Sequence, residues 1–193
     1  MRIGLYGGSF NPIHKGHTSL AQSLVDQGLV DEVWLLVSPL NPLKQMSGDI
    51  AAYEHRLRMA ELACKGHKGL RVSDFESHLP VPSYTITTLD ALAATYPQHT
   101  FSLVIGADNW QGFNKWYKSD EIIARYPILV YNRPGFSLDE SASSLPPTIK
   151  IVDTPLYDIS STELRNSLRQ GDNPAQWLAP EVLEYIKENG LYK

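Results

Sequence analysis

The sequence predicts an α/β fold in which a doubly wound, mainly parallel sheet is covered by helices on both faces. Three observations carry the prediction. Short runs that are apolar at every position recur along the chain, Val33-Trp34-Leu35-Leu36-Val37 being the plainest, and a strand apolar on both sides needs cover on both sides. Stretches with apolar residues at helical spacing stand between those runs. Run, amphipathic stretch and run succeed one another inside the first 37 of 193 residues, which makes a βαβ unit, expected to be right-handed.

Ile3-Gly4-Leu5-Tyr6 predicts a buried strand stopped by a turn at Gly7-Gly8. A helix is expected from Lys15 to Gln27, with Leu20, Leu24 and Gln27 on one stripe, Ala21 and Val25 beside it, and Gly28 as its stop. Val33 to Val37 is the second strand. Residues 53–65 predict a helix through Met59, Leu62 and Ala63, Leu70-Arg71-Val72 a short strand, and residues 85–94 a helix with Ile86, Leu89 and Ala93 aligned. Phe101 to Ile105 is a buried strand running into Gly106-Ala107-Asp108; Ile128 to Tyr131 is another, and Ile149 to Val152 a weaker one. Residues 133–148, with Pro134, Gly135, Pro146 and Pro147, predict a surface loop. Ser161 to Arg169 is a helix opened by a Ser160/Glu163 capping box, and Pro180 to Asn189 is the last, with proline near its first turn and Gly190 as its stop. Neither a repeat nor a low-complexity tract interrupts the series, so a single domain over residues 1–193 is expected.

Seventeen Lys and Arg against 21 Asp and Glu give a net charge of −4, which excludes a protein held to DNA by bulk positive charge. The single cysteine, Cys64, excludes an internal disulfide and all but excludes a thiolate zinc site. Met1 to Gly8 lacks the apolar run of a signal peptide, and no apolar stretch nears the ~20 residues of a membrane span. The expectation is a cytoplasmic chain with no membrane or nucleic-acid partner; whether it forms a homo-oligomer stays open.

Ligands of an open α/β sheet bind beyond the carboxyl ends of its strands, so chemistry is expected just after the first one. That stretch reads Gly7-Gly8-Ser9-Phe10-Asn11-Pro12-Ile13-His14-Lys15-Gly16-His17. It is not a Walker loop, which would continue into Gly-Lys-Ser/Thr, nor the Gly-x-Gly-x-x-Gly fingerprint. Two glycines let the backbone come close to a ligand. His14 and His17 share one face at a helix start, where free N–H groups already favour an anion. The functional reading is a phosphate cradle. Two plainer readings compete: a metal site, for which the stretch offers neither cysteine nor carboxylate, and a pair of capping histidines without a further role.

Ser9, His14, Gly16 and His17 resemble the His-x-Gly-His loop of the nucleotidyltransferase superfamily. Ile159-Ser160-Ser161-Thr162-Glu163-Leu164-Arg165 resembles the Ile-Ser-Ser-Thr element near the C-terminal end of the same superfamily. Within it, Ser83-Tyr84-Thr85-Ile86-Thr87-Thr88-Leu89, Ile105-Gly106-Ala107-Asp108-Asn109, Trp116-Tyr117 and Asn132-Arg133-Pro134-Gly135 resemble the bacterial nicotinate-nucleotide adenylyltransferases, and the resemblance spans nearly the whole chain. Two positions depart from it. Thr87 stands where the family often has an acidic residue, and Leu43, before Lys44, where it commonly has histidine.

The resemblance implies a Rossmann-like fold and transfer of the adenylyl group of ATP to nicotinate mononucleotide. The 5′-phosphate attacks the α-phosphorus, pyrophosphate leaves, and no covalent enzyme intermediate forms. It further implies catalytic roles for His14, His17 and Arg165, and an ATP site that adds Gly7, Gly8, Ser9, Phe10, Lys44, Arg133, Ser160, Ser161 and Thr162. The mononucleotide would meet Ser9, Asn11, Lys44, Tyr84, Thr85, Asp108, Trp116 and Tyr117. Mg²⁺ is expected to arrive with ATP, with no protein-held metal and no tightly bound organic cofactor. Plainer roles stand beside several of these: Ser160 as an N-cap, Asp108 as a turn or cap residue, Trp116 and Tyr117 as core, and Lys44, Arg133 and Arg165 as surface or structural cations. The rival functions are a sibling enzyme acting on another phosphate, such as phosphopantetheine or nicotinamide mononucleotide, or using CTP, and a nucleotide-sensing module without turnover.

Overall fold

The computed structural model describes residues 1–39, 50–136, 138 and 145–193. Six strands, β1 (Arg2–Gly8), β2 (Glu32–Val37), β3 (Leu70–Ser73), β4 (Thr100–Gly106), β5 (Ile128–Tyr131) and β6 (Ile149–Val152), form one sheet in the order β3-β2-β1-β4-β5-β6. Every neighbouring pair is parallel. The chain winds outward from β1 to β3, crosses back, and winds outward again from β4 to β6. The strand order therefore reverses between β1 and β4, and their carboxyl ends open a crevice of the kind that receives nucleotides.

Both faces of the sheet are covered. Val33, Leu35 and Val37 of β2 and Tyr6 of β1 enter one core, with α1 (Lys15–Asp26), α2 (Tyr53–Cys64), α6 (Ser161–Arg169) and α7 (Pro180–Glu188). Trp34, Leu36, Ile3 and Leu5 enter the other, with α3 (Thr85–Thr95), α4 (Ala107–Gln111) and α5 (Ser119–Arg125). A strand with an apolar partner on each face has no reason to alternate, which is why these segments read as unbroken apolar runs. No helix among the described residues is long and apolar enough to cross a membrane.

The sheet agrees with the expectation, and the differences are local. β1 runs through both glycines, because Gly7 and Gly8 pair with Leu36 and Val37 of β2; the turn starts at Ser9. α1 closes at Asp26 with Gln27 as its cap and Gly28 just beyond at φ +66. The stretch after β4, where the sequence predicts no element beyond a turn or cap at Asp108, holds α4, a 3₁₀ turn at Phe113–Lys115, and α5. These pieces span five, three and seven residues, too short for a helical period to show in the sequence. A second short 3₁₀ turn, Phe75–His78, also escaped the pattern. Where the surface loop was expected, Arg133 and Phe136 exchange backbone hydrogen bonds of 2.9 and 2.8 Å around Pro134-Gly135.

Candidate active site

β1 delivers the chain to the crevice, and residues 9–13 turn it into α1. Phe10 adopts φ +45 and folds its ring back over Gly8, where a Cβ would stand 2.9 Å from the ring. Phe10 itself is 3% exposed, so its contribution to a ligand can come only from its main chain. His14 takes the N-cap position of α1 and His17 the third helical position. The His14 N–H donates to His17 Nδ1 at 3.2 Å, which puts the proton of a neutral His17 on Nε2. The two imidazoles lie against each other at a tilt of 35° with centroids 3.8 Å apart, and Phe10 meets His17 edge-on at 5.1 Å. A Cβ on Gly16 would stand 3.0 Å from Cε1 and Nδ1 of His14, so a side chain there would displace the imidazole.

His14 is buried. Burial first, and the charge of Arg133 second, push its pKa down to about 4, with Glu163 offsetting part of the fall. The ring is neutral at pH 7 and offers one N–H.

The N-terminus of α6 meets this loop from the far end of the sequence. Ser160 caps the helix: its Oγ accepts from the Glu163 N–H at 3.2 Å, and the Glu163 carboxylate accepts from the Ser160 N–H at 2.7 Å and hydroxyl at 2.6 Å. Ser161 Oγ donates to the Pro12 carbonyl at 2.9 Å. One turn on, Arg165 donates to the Asn11 carbonyl at 2.9 Å and to Thr162 Oγ1 at 3.3 Å. Asn11 is turned inward: it is 3% exposed, and its Oδ1 accepts from the Ala51 N–H at 3.0 Å and the Tyr192 hydroxyl at 2.7 Å.

Two further residues face the crevice from β4 and β5. Asp108 sits in the first turn of α4 and pairs with Arg133 at 2.9 Å, both partly exposed. Below them the hydroxyls of Tyr6 and Tyr131 meet at 3.3 Å. A small cleft of about 70 Å³ runs from His14 and His17 past Tyr6 and Tyr131 to Arg133 and Tyr157. Farther along the rim, Tyr84 caps α3 and Thr85 begins it. The Tyr84 and Tyr117 rings lie tilted against each other at 4.5 Å and are 44% and 52% exposed. Trp116 leans on Phe113, ring centroids 5.0 Å apart, and is half-buried. Lys44 and Leu43 lie outside the described residues.

With this geometry in hand, similarity to known proteins is specific. The cytidylyltransferase-like family pattern matches residues 5–167. A relative from Bacteroides fragilis (strain YCH46), named probable nicotinate-nucleotide adenylyltransferase, is 46% identical over 185 residues, 96% of this chain and 90% of its own. A relative of the same name from Flavobacterium johnsoniae is 40% identical over 193 residues and the full length of both chains. The chain belongs to the nicotinate-nucleotide adenylyltransferase family. Among solved structures, a Plasmodium falciparum nicotinic acid mononucleotide adenylyltransferase complexed with NaAD shares the fold, with a TM-score of 0.83 at 22% identity over 99% of this chain and 97% of that one.

In this adenylyltransferase the fold joins the two motifs that the sequence separates, through Ser161 and Arg165. Thr87, the family departure, is exposed, whereas Thr88 beside it is buried and donates to Glu76 Oε1 at 3.1 Å. Sequence reasoning missed Arg56. It is 2% exposed and donates to four carbonyls: Ser9 and Ser38 at 2.8 Å each, Ala51 at 3.0 Å and Pro39 at 3.1 Å. A signal existed, since Arg56 shares its helical stripe with Met59, Ala60 and Ala63, all buried. A cation on a buried stripe must find oxygen partners.

Proposed function

We infer that this adenylyltransferase moves the adenylyl group of ATP onto nicotinate mononucleotide, releasing pyrophosphate and nicotinate adenine dinucleotide. The observation that carries the reading is the meeting of two helix N-termini, those of α1 and α6, around His14, His17 and Arg165 at the mouth of the reversal point. Each terminus sets the positive end of a helix dipole at the crevice, which favours phosphate, and at α1 the Lys15 and His17 N–H groups already donate to the Trp177 and His14 carbonyls. His17, with its proton on Nε2, supplies a neutral donor, and Arg165 a permanent charge.

The triphosphate of ATP lies across these groups, and its adenosine side extends over Tyr6 and Tyr131 toward Arg133. As the mononucleotide phosphate attacks, the α-phosphorus becomes pentacoordinate and its oxygens gain charge. Donors already held in place stabilise that charge without rearranging. The nucleophile is an ionised phosphate and needs no general base, so catalysis reduces to positioning and charge stabilisation. ATP enters as its Mg²⁺ complex, the ion held by phosphate oxygens and water. The pyridine ring is received at the rim formed by Tyr84, Thr85, Trp116 and Tyr117, and Lys44 meets the incoming phosphate. On this reading the enzyme works in the cytoplasm.

The test offers ATP with nicotinate mononucleotide, nicotinamide mononucleotide and phosphopantetheine in turn, follows pyrophosphate, and repeats the series with CTP. Release is expected from ATP with nicotinate mononucleotide at the highest kcat/KM. A preference for phosphopantetheine or CTP, or nucleotide binding without release in any pairing, overturns the reading.

A further inference from the structure

From the end of β1 at Gly8 to Pro12 the carbonyls are accounted for almost one by one. The Gly8 carbonyl accepts from the Ser38 N–H at 3.0 Å. The Ser9 carbonyl accepts from Arg56 at 2.8 Å, that of Asn11 from Arg165 at 2.9 Å, and that of Pro12 from Ser161 at 2.9 Å. In a planar trans peptide the C=O and the following N–H point opposite ways. Anchoring the Ser9 carbonyl therefore aims the Phe10 N–H away from the Arg56 guanidinium. Phe10 is also the loop residue at φ +45, a conformation that a bulky side chain keeps only where its surroundings hold it.

Arg56 does more than fill one acceptor. The same guanidinium binds the Ser38 and Pro39 carbonyls after β2 and the Ala51 carbonyl ahead of α2, so it ties the β1 loop to both flanks of residues 40–49. No carboxylate among the described residues pairs with it. Its charge faces the negative ends of four peptide dipoles, of which only the Ser9–Phe10 peptide belongs to the β1 loop. Tyr192 adds a second, weaker anchor to the loop through Asn11 Oδ1.

We propose that Arg56 is a positioning residue for phosphate binding: it holds the Ser9 carbonyl inward so that the Phe10 N–H faces the triphosphate. The proposal rests on the adenylyl-transfer reading for the identity of the ligand.

The test measures binding of a non-hydrolysable ATP analogue with Mg²⁺ by calorimetry, with Tm recorded for each protein. Arg56→Lys keeps the charge but cannot span four carbonyls. Its expected result is a stoichiometry near one with affinity weakened about tenfold, the scale of one charge-assisted hydrogen bond. A lower Tm and lower stoichiometry with unchanged affinity of the folded fraction means that Arg56 only stabilises the fold, and overturns the proposal. Should Arg56→Lys fail to fold, Tyr192→Phe removes one hydroxyl from the same loop. About threefold weaker binding is expected there, and unchanged binding overturns the proposal. Wild-type protein that binds the analogue but releases no pyrophosphate with any mononucleotide refutes the functional reading while leaving the Arg56 comparison standing. Wild-type protein that does not bind the analogue refutes both.

Discussion

The two ends of the crevice are built on opposite plans. At the phosphate end the carbonyls of Gly8, Ser9, Asn11 and Pro12 each have a donor, the histidine rings lie tilted against one another, and Phe10 meets His17 edge-on. At the rim, Tyr84 and Tyr117 lie on each other with about half of each exposed, and Trp116 leans on Phe113 rather than standing open. The first region is held by its own hydrogen bonds, and on the proposed adenylyl-transfer reading its donors would act on the transition state without reorganising. The second presents exposed rings held mainly by one another, and on the proposed reading part of its contact energy would go into ordering them. The difference suggests a division of labour: charge stabilisation resides in the fixed end, and choice of mononucleotide in the adaptable one.

That division can be broken or sharpened by substitution. The largest effect is expected at the fixed end, where His17→Ala lowers kcat by about 10²–10³, the cost of one transition-state donor. The same change removes the acceptor of the His14 N–H, so Tm falls by no more than about 2–4 °C. Retained turnover with a collapsed Tm would make the histidine structural and undo the comparison. At the adaptable end Trp116→Ala should raise KM for nicotinate mononucleotide by about tenfold and leave KM for ATP alone. Steady-state kinetics with each substrate varied distinguishes that split from a general loss.

Stability should follow pH through His14. Unfolded, this histidine takes up a proton below about 6.5; folded, only below about 4. The unfolded chain therefore binds more protons between these values, and the contribution of His14 is full above about 6.5 and lost as pH falls toward 4. Urea unfolding at pH 7 and pH 5 should show the drop in wild type and a shallower one in His14→Gln. Ser160→Ala should cost about 1 kcal/mol of stability through the lost cap. Because Ser160 Oγ is engaged with Glu163 on both of its bonds, kcat should change little; a fall in turnover at constant stability would give Ser160 a phosphate-binding role instead. The smallest effect belongs to exposed Thr87, where Thr87→Asp should leave both KM values unchanged.

The same contrast governs what the sequence reveals. β2 was legible because a covered parallel strand is apolar throughout, β4 because only Ser102 interrupts its apolar run from Phe101 to Ile105, and the histidine loop because its chemistry is local to one turn. α4 and α5 were not, being shorter than the pattern that would announce them. Asn11 read as a ligand contact, yet its side chain faces Ala51 and Tyr192, partners 40 and 181 residues away. Arg56 escaped for a related reason: among its four acceptors, Ser9 lies 47 residues back and only the folded chain brings it within reach. Phosphate chemistry was readable in local motifs; the groups that hold those motifs in place were not.

On the proposed reading adenylyl passes directly from ATP to the mononucleotide at the fixed end. The stereochemical course at the α-phosphorus tests it most directly. ATP made chiral at that atom by sulfur substitution should give a dinucleotide of inverted configuration, as a single in-line displacement requires. Retention would mean two displacements through an enzyme-bound adenylate, and would contradict the account.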